Sequence, residues 1–583
     1  MGQRSLLYTH IEMKKFTILL VIIIALATLL RFWQLGSIPP SPDWDEASLG
    51  YNAYSILHTG RDEYGKQFPI ILESFGDYKP ALYAYLSIPS IAIFGLSTFS
   101  VRLPSAIFGV LTVLAVYFLV KELLSRGQEL KEKDPLINEN WKLKIPIIAA
   151  ALLAVSPWHI QFSRVAFETN VGVALSVFAA LFFLYGLRRN RLLLLSAAFF
   201  GVELYAYQSD KVFAPLLLFV LVVIYFRKLL RVQKRYLIGA ILIGLLVSFP
   251  MAFSVLSNST TLSRAASVSI FSGQSDDFAR NADKLLLDHQ RHDILGLLLD
   301  NRRVLFAREI VANYISHWDL NWLYVKGDIP RHHAPGMGLL YLVMAPFLFI
   351  GFYKLLFGRY PKRMRFTLLA WFLIAPIPAS ITTGVPHAVR TMHFLPAITI
   401  IEAIGVAAAW QQISKIKYQP FGVNQGKRSK INVGHILIAA CCLLFAFNFV
   451  YYMDQYFVQL NYFDSEDWQY GYKQAVADVT KLAPQYNKIV FSNNGYLDQS
   501  YIFYLFYSKY PPRLYQKQMQ FIGNSTSDRT FGKFEFRHFN WSDEHKAPGV
   551  LYIGMPKEFP DNTPAVDTIN YLDGKPAIKI IGT

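Results

Sequence analysis

The stretch PDWDEASLGYNAY, residues 42–54, places Asp43, Asp45 and Glu46 within four positions, a few residues after the apolar run FTILLVIIIALATLL. Carboxylates repel one another and are costly beside hydrocarbon, so three of them at the end of such a run call for a role. A carboxylate held against apolar surface, its pKa raised by neighbouring negative charge, can serve as a general base. Asp43, which follows Pro42, is also suited to cap a helix, because Asp accepts the free N–H groups of a first helical turn. Capping needs one acid, which leaves the others for chemistry. Cations and a further acid occur downstream: Lys79 in GDYKPALY, Arg102 in SVRLPSA, His159, Arg164 and Glu168 in SPWHIQFSRVAFETN, and Arg390 in TTGVPHAVRTMHFLP. Each cation could anchor a helix at a membrane interface or clamp a phosphate, to which Lys and Arg are strong donors. Glu168 opens an apolar helix, where the positive end of the dipole favours an anion. The adjacent His332 and His333 are poorly placed to hold one metal together and read as solvated loop residues.

These residues need a scaffold, and the composition defines its class. The chain has 583 residues, of which 53% are hydrophobic and 17% charged, where a soluble protein is about a quarter charged. Several apolar stretches approach the roughly 20 residues a membrane-crossing helix needs. The expectation is a polytopic α-helical membrane protein. The net charge of +17 could suggest nucleic acid, but the basic residues cluster at the ends of apolar stretches, as the positive-inside rule requires, and no nucleic-acid partner is expected. Cys441 and Cys442 are adjacent in an apolar stretch and offer no long-range disulfide. The first apolar run ends in RFWQLG without a cleavage site and reads as a retained signal anchor.

If the basic clusters Lys14–Lys15, Lys121–Lys144, Arg188–Arg191, Arg227–Arg235, Arg359–Arg365 and Lys415–Lys430 are all cytoplasmic, the apolar segments between them fall into pairs. The pairs are 103–123 with 145–160, 168–187 with 191–208, 211–226 with 236–256, 336–357 with 366–384, and 390–411 with 433–452, which with the first helix makes about eleven crossings. Segment 79–97, interrupted by Pro89, is read as an interfacial or re-entrant helix inside a first outer loop, 36–102, because counting it as a crossing would turn the 121–144 cluster outward. A second long outer loop covers 257–335. From about 454 no spanning stretch remains, and helix-like SEDWQYGYKQAVADVTKLA with strand-like KIVFSN and VLYIGM predicts a small extracytoplasmic α/β domain, 454–583, behind a transmembrane catalytic domain, 1–453.

Several function classes compete for this pattern. DWD is a D-x-D motif that could hold a divalent metal between Asp43 and Asp45, but nucleotide sugars are not expected outside the membrane and no phosphate-cradling glycine loop occurs, so neither a metal nor another cofactor is expected. A lipid or solute transporter would concentrate ionisable residues near the bilayer midplane and often carries inverted repeats, whereas the charges here crowd the outer ends of spans. A polymerase or ligase of lipid-linked glycans is the nearer alternative.

WDEASLGYNAYSIL, DYKPALYAYL, FSVRLPSAIFGVL, SPWHIQFSRVAFET and HAVRTMHFLPAI occur in this order. Together they resemble the GT-C class of membrane glycosyltransferases, of the protein O-mannosyltransferase and aminoarabinose-transferase type, over residues 15–410. The resemblance implies transfer of a hexose or pentose from a polyprenyl-phosphate carrier to a lipid, glycan or protein acceptor at the outer membrane face, as in cell-envelope glycosylation, with inversion at the anomeric carbon. It implies that the first-loop acidic pair of the class falls on Asp45 and Glu46, with the aspartate in the catalytic centre, and that the second-loop acid falls on Glu168. The phosphate-contacting lysine of a Lys-Pro-Pro element falls on Lys79, where Ala81 replaces the second proline. Arg102, Arg164 and Arg390 complete the expected donor-phosphate cations.

Overall fold

The computed structural model describes residues 2–125, 139–257, 268–272, 276–414, 433–523 and 526–583. The basic cluster 415–430, most of 121–144 and part of the 257–335 loop lie outside the described residues. α1 (Gly2–Phe32) is followed by two shorter helices, α2 (Trp44–Thr59) and α3 (Leu82–Phe94), with a β1–β2 hairpin (Ile71–Ser74, Asp77–Pro80) between them. Then come α4 (Thr98–Ser125), α5 (Glu139–Val155), α6 (Pro157–Ser163), α7 (Glu168–Gly186), α8 (Leu192–Glu203), α9 (Asp210–Leu229) and α10 (Lys234–Ser257). Later long apolar helices are Phe394–Ile413 and Val433–Asp454.

Among the described residues seven helices are long and apolar enough to cross a membrane, and eight if α5 and α6, bent by 58° from one another, form one broken span. The bend falls at Ser156, whose helical conformation is disfavoured by the ring of Pro157. Three expected crossings come out shorter than their apolar runs. Segment 191–208 yields the 12-residue α8. Segment 366–384 yields Lys362–Ile374 and then a single turn, Ile377–Ser380, divided at Pro376. Segment 336–357 becomes a regular α-helix only from Ala345, because 338–340 lies against the backbone of 323–325. Leu340 donates to the Leu323 carbonyl at 2.8 Å, and a Cβ on Gly338 would stand 2.4 Å from the Tyr324 carbonyl carbon. α3 has 13 residues, about 20 Å of helix against a hydrocarbon core of about 30 Å, and it packs on α2 and α4.

Two large cores and a smaller one within the C-terminal sheet organise the described residues. The first joins the apolar faces of α1, α4, α5, α7 and α9 with Phe394–Ile413. The second joins α2 and α3 to the C-terminal region, through Tyr51, Ala53 and Tyr83 on one side and Tyr501, Phe503, Phe506 and Phe536 on the other. Gly50 permits this approach: a Cβ there would lie 2.6 Å from Val101 and 2.7 Å from Phe506. The C-terminal region holds a seven-stranded sheet in the order β4-β5-β6-β3-β7-β9-β8 (Gln520–Phe521, Arg529–Phe531, Phe534–Arg537, Lys488–Ser492, Val550–Gly554, Pro576–Gly582, Asp567–Asn570). β3 runs parallel to β6 and β7, and the other pairs are antiparallel. β3 and β7 are the two predicted strands, and the predicted helix is Tyr472–Leu482.

Candidate active site

The site is built on the segment between α1 and α4. Asp43 caps α2, accepting the Glu46 N–H at 2.8 Å. Its other oxygen takes a bond from Arg331 Nη1 at 3.2 Å, and the Arg331 guanidinium lies 4.6 Å from the Trp44 ring centroid. Burial pushes the Asp43 carboxyl up to about 6, with Arg331 opposing and Asp45 and Glu46 adding to the rise. The cap sets Asp45 in the first turn of α2, where it meets Lys79 in a direct ion pair.

Lys79 reaches that position through the hairpin. β1 and β2 pair in the register Leu72↔Lys79 and Ser74↔Asp77, joined by the two residues Phe75 and Gly76. Both have positive φ, 58° and 75°, as a type I′ hairpin turn demands. Gly76 adopts this freely, but a bulky residue does so at a cost, and such strain tends to collect at functional sites. The Phe75 ring lies 5.5 Å from Lys79 Nζ and 6.0 Å from the Tyr501 ring, centroid to centroid. Lys79 is nearly buried. Burial works against its charge, yet Asp45, Glu168 and Asp43 outweigh burial and hold its pKa above the ordinary lysine value.

Asp45, Lys79 and Glu168 line one cavity of about 400 Å³, together with Arg331 and Arg390. Glu168 is the first residue of α7 and buried. Arg390 is held by Thr382 Oγ1 and the Thr383 carbonyl, both at 2.7 Å. Tyr207 closes another wall. Burial pushes its phenol up to about 12, so it remains a hydroxyl donor at neutral pH. The cavity thus brings acids and cations together, with its ionic groups drawn from α2, the hairpin, α7, the 327–333 and 384–393 segments and Asp498 of the C-terminal region.

The other expected site residues sit behind this surface. Glu46 and Arg102 form a buried bidentate pair, Arg102 Nε to Oε1 at 2.9 Å and Nη2 to Oε2 at 2.8 Å. Arg102 also donates to the carbonyls of Leu35, Pro39 and Ser41 at 3.2, 2.8 and 2.7 Å. Glu46 accepts the Ala166 N–H at 2.9 Å. Arg164 donates to the Leu30 and Ile38 carbonyls at 2.9 and 3.1 Å and stacks on Phe457. These three residues tie the 35–46 segment to the helix bundle and do not line the cavity. His159, also buried, contacts Arg31 Nη2 through Nδ1 at 2.7 Å. His332 corrects the solvated-loop reading: it is buried, packed on Phe162 and Phe167, and faces Asp328 at 3.2 Å. Arg331, Tyr207 and His387 are not marked by the sequence, since each stands apart from any local spacing pattern.

The family model of dolichyl-phosphate-mannose-protein mannosyltransferases matches residues 78–129, from the second strand of the hairpin through α4. A comparison with curated proteins finds no significant sequence match. Among solved structures, the chain matches ArnT from Cupriavidus metallidurans in the apo state with a TM-score of 0.50 and 12% identity, over 96% of this chain and 97% of that one. The fold is that of the GT-C glycosyltransferases. The same values hold for the ArnT structure bound to undecaprenyl phosphate. The archaeal oligosaccharyltransferase AglB from Archaeoglobus fulgidus, in complex with an inhibitory peptide and a dolichol-phosphate, matches with a TM-score of 0.47 and 14% identity over 84% of this chain and 64% of that one. Within the GT-C fold found here, the 78–129 segment carries Lys79 at its start and Arg102 in its first long helix.

Proposed function

We propose that the chain transfers a sugar from a polyprenyl-phosphate carrier to an acceptor at the outer membrane face, with the cavity around Asp45 as the reaction centre. The observation that carries this reading is the composition of that cavity: a first-turn carboxylate paired with Lys79, and Arg331 and Arg390 on the walls around it. A phosphate-linked sugar needs cations where the phosphate departs and a carboxylate where the acceptor attacks. Asp45 takes the proton from the acceptor nucleophile as the new bond to the anomeric carbon forms. The bond between that carbon and the phosphate oxygen breaks, and its electron pair leaves with the phosphate. Lys79, Arg331 and Arg390 stabilise the added negative charge. The leaving group is already an acidic phosphate, so no general acid is required. Asp45 and Glu168 also stabilise positive charge developing on the sugar ring, as paired carboxylates do in glycoside hydrolysis. Glu46, Arg102 and Arg164 act one layer back by fixing the segment that presents Asp45.

The test is incubation of the purified full chain with a panel of polyprenyl-phosphate sugars, following release of the carrier phosphate. Asp45→Asn keeps the size of the side chain and is expected to retain carrier binding while transfer falls about 100-fold or more. Lys79→Ala is expected to weaken carrier binding about 10-fold or more, from the loss of a charge-assisted partner. Near-normal transfer by Asp45→Asn would move the base to Glu168, and no release from any carrier would remove the transferase reading.

A further inference from the structure

Beside the cavity, three side chains converge without a role in the transfer chemistry. Asp328, His332 and His387 bring one carboxylate oxygen and one ring nitrogen each to within 4.8 Å of one another. They come from two segments far apart in sequence, 327–333 and 384–393, and both histidine rings line the cavity. We propose that Asp328, His332 and His387 form a binding site for a divalent transition-metal ion, with zinc as the best match to its two imidazoles and one carboxylate.

The donor set fits the ion. Three protein ligands drawn from His and carboxylate, with a further position left open, is the arrangement of zinc sites that face a substrate cavity. Ligand atoms about 2.0–2.1 Å from a tetrahedral zinc stand about 3.3 Å apart, and His332 Nδ1 lies 3.2 Å from Asp328 Oδ2. As an N–H···O hydrogen bond that separation stands at the long end of the usual range of about 2.7–3.2 Å. The widest spacing allowed by the cluster, 4.8 Å, must close by about 1.5 Å to reach tetrahedral contact, a movement within the range of side-chain rotation. His387 Nδ1 is buried and has no hydrogen-bond partner, an orphaned lone pair or N–H of the kind that native structures rarely leave.

Outer contacts orient the three ligands, as metal sites generally require. Asp328 Oδ1 accepts the Ile329 N–H at 2.8 Å and Oδ2 accepts the Ala388 N–H. The Ala388 bond ties the aspartate to the segment that carries His387. His317 accepts the His387 backbone N–H on Nε2 at 3.3 Å while its Nδ1 donates to the Asn313 carbonyl at 2.7 Å. The rings of Phe162 and Phe167 pack against His332, with centroids 5.8 and 5.6 Å away, and the His332 and His387 rings are 5.1 Å apart. Gly327, with φ 75°, starts the turn, and a Cβ there would strike the His333 ring at 2.5 Å. A bound ion would stand beside Arg331 and Arg390 and add to the positive wall of the cavity.

The test reads metal directly and needs no sugar donor, so its failure is separable from failure of the transferase reading. The full chain, stripped with a chelator in detergent and titrated with zinc, is expected to retain one equivalent through gel filtration and to gain thermal stability with zinc concentration. His387→Ala and Asp328→Asn are each expected to weaken zinc binding at least 10-fold and to abolish the zinc-dependent rise in Tm, with apo Tm values near wild type. His387→Gln serves if the alanine variant does not fold. Replacing the exposed His538 by Ala is the control and should leave binding unchanged. No stoichiometric zinc, manganese or cobalt on the wild-type chain, or full binding by both ligand variants, would overturn the site.

Discussion

Glu46 and Asp45 are neighbours in the chain with opposite fates, and substituting Glu46 separates a positioning role from a catalytic one. Glu46→Gln keeps the size of the side chain but leaves Arg102 facing an amide. The oxygen that remains can still accept both the Ala166 N–H and the Arg102 Nε–H, but the NH₂ group now opposes Arg102 Nη2, donor against donor. The guanidinium stays fully buried with no neutralising charge. Removing one partner of a buried pair costs about 3–5 kcal/mol. An unfolding entropy of about 2.1 cal/mol/K per residue, taken over the whole chain, converts that to a fall in Tm of about 2.5–4 °C. Intrinsic fluorescence during thermal unfolding is the assay, and Trp468, whose ring lies 5.9 Å from the Arg102 guanidinium, sits next to the change. Arg102→Met should cost at least as much, because the carbonyls of Leu35, Pro39 and Ser41 lose their donor as well. The double variant removes both charges and should fall short of the summed losses by about 2 kcal/mol or more. Lys66→Ala is the contrast: its pair with Glu73 is as short, 2.9 Å, but exposed, and should shift stability by less than about 1 kcal/mol. Glu46→Gln with wild-type stability and lost transfer would refute the positioning role and put Glu46 at the reacting atoms.

Two further outcomes are expected. Glu63 is fully buried; its Oε1 accepts from Asn52 at 3.1 Å, its Oε2 has no hydrogen-bond partner, and burial, partly offset by Arg529, pushes its carboxyl up to about 7. A carboxyl whose folded pKa lies above its unfolded value of 4.5 contributes stability at low pH that is lost as pH rises to about 7, some 3 kcal/mol in all. Glu63→Gln should therefore gain on wild type in Tm between pH 5 and pH 8, and a pH-independent difference would refute the assignment. For topology, a cysteine at exposed Gln67, in a chain with Cys441 and Cys442 replaced by serine, should react with a membrane-impermeant thiol reagent added outside cells, and labelling only after permeabilisation would invert the loop.

The sequence determined the class of this protein, because hydrophobic runs and the placement of basic residues are local properties that a bilayer reads segment by segment. It also determined the Asp43 cap, since capping depends on a residue and its next three neighbours, and it marked Asp45, Lys79, Glu168 and Arg390, which the fold brings to one cavity. Tertiary structure decided what each charge does. Asp45 and Glu46 differ by one position, which on a helix is a turn of about 100°, enough to send one carboxylate to the cavity and the other to Arg102. The hairpin that aims Lys79 rests on two positive φ angles at Phe75 and Gly76, a turn that SFGD does not announce. Two apolar runs yielded shorter helices than their hydropathy promised because of Pro376 in one and the packing of Gly338 against the Tyr324 backbone in the other. The Asp328, His332 and His387 cluster joins residues more than fifty positions apart, and only folding could bring them together.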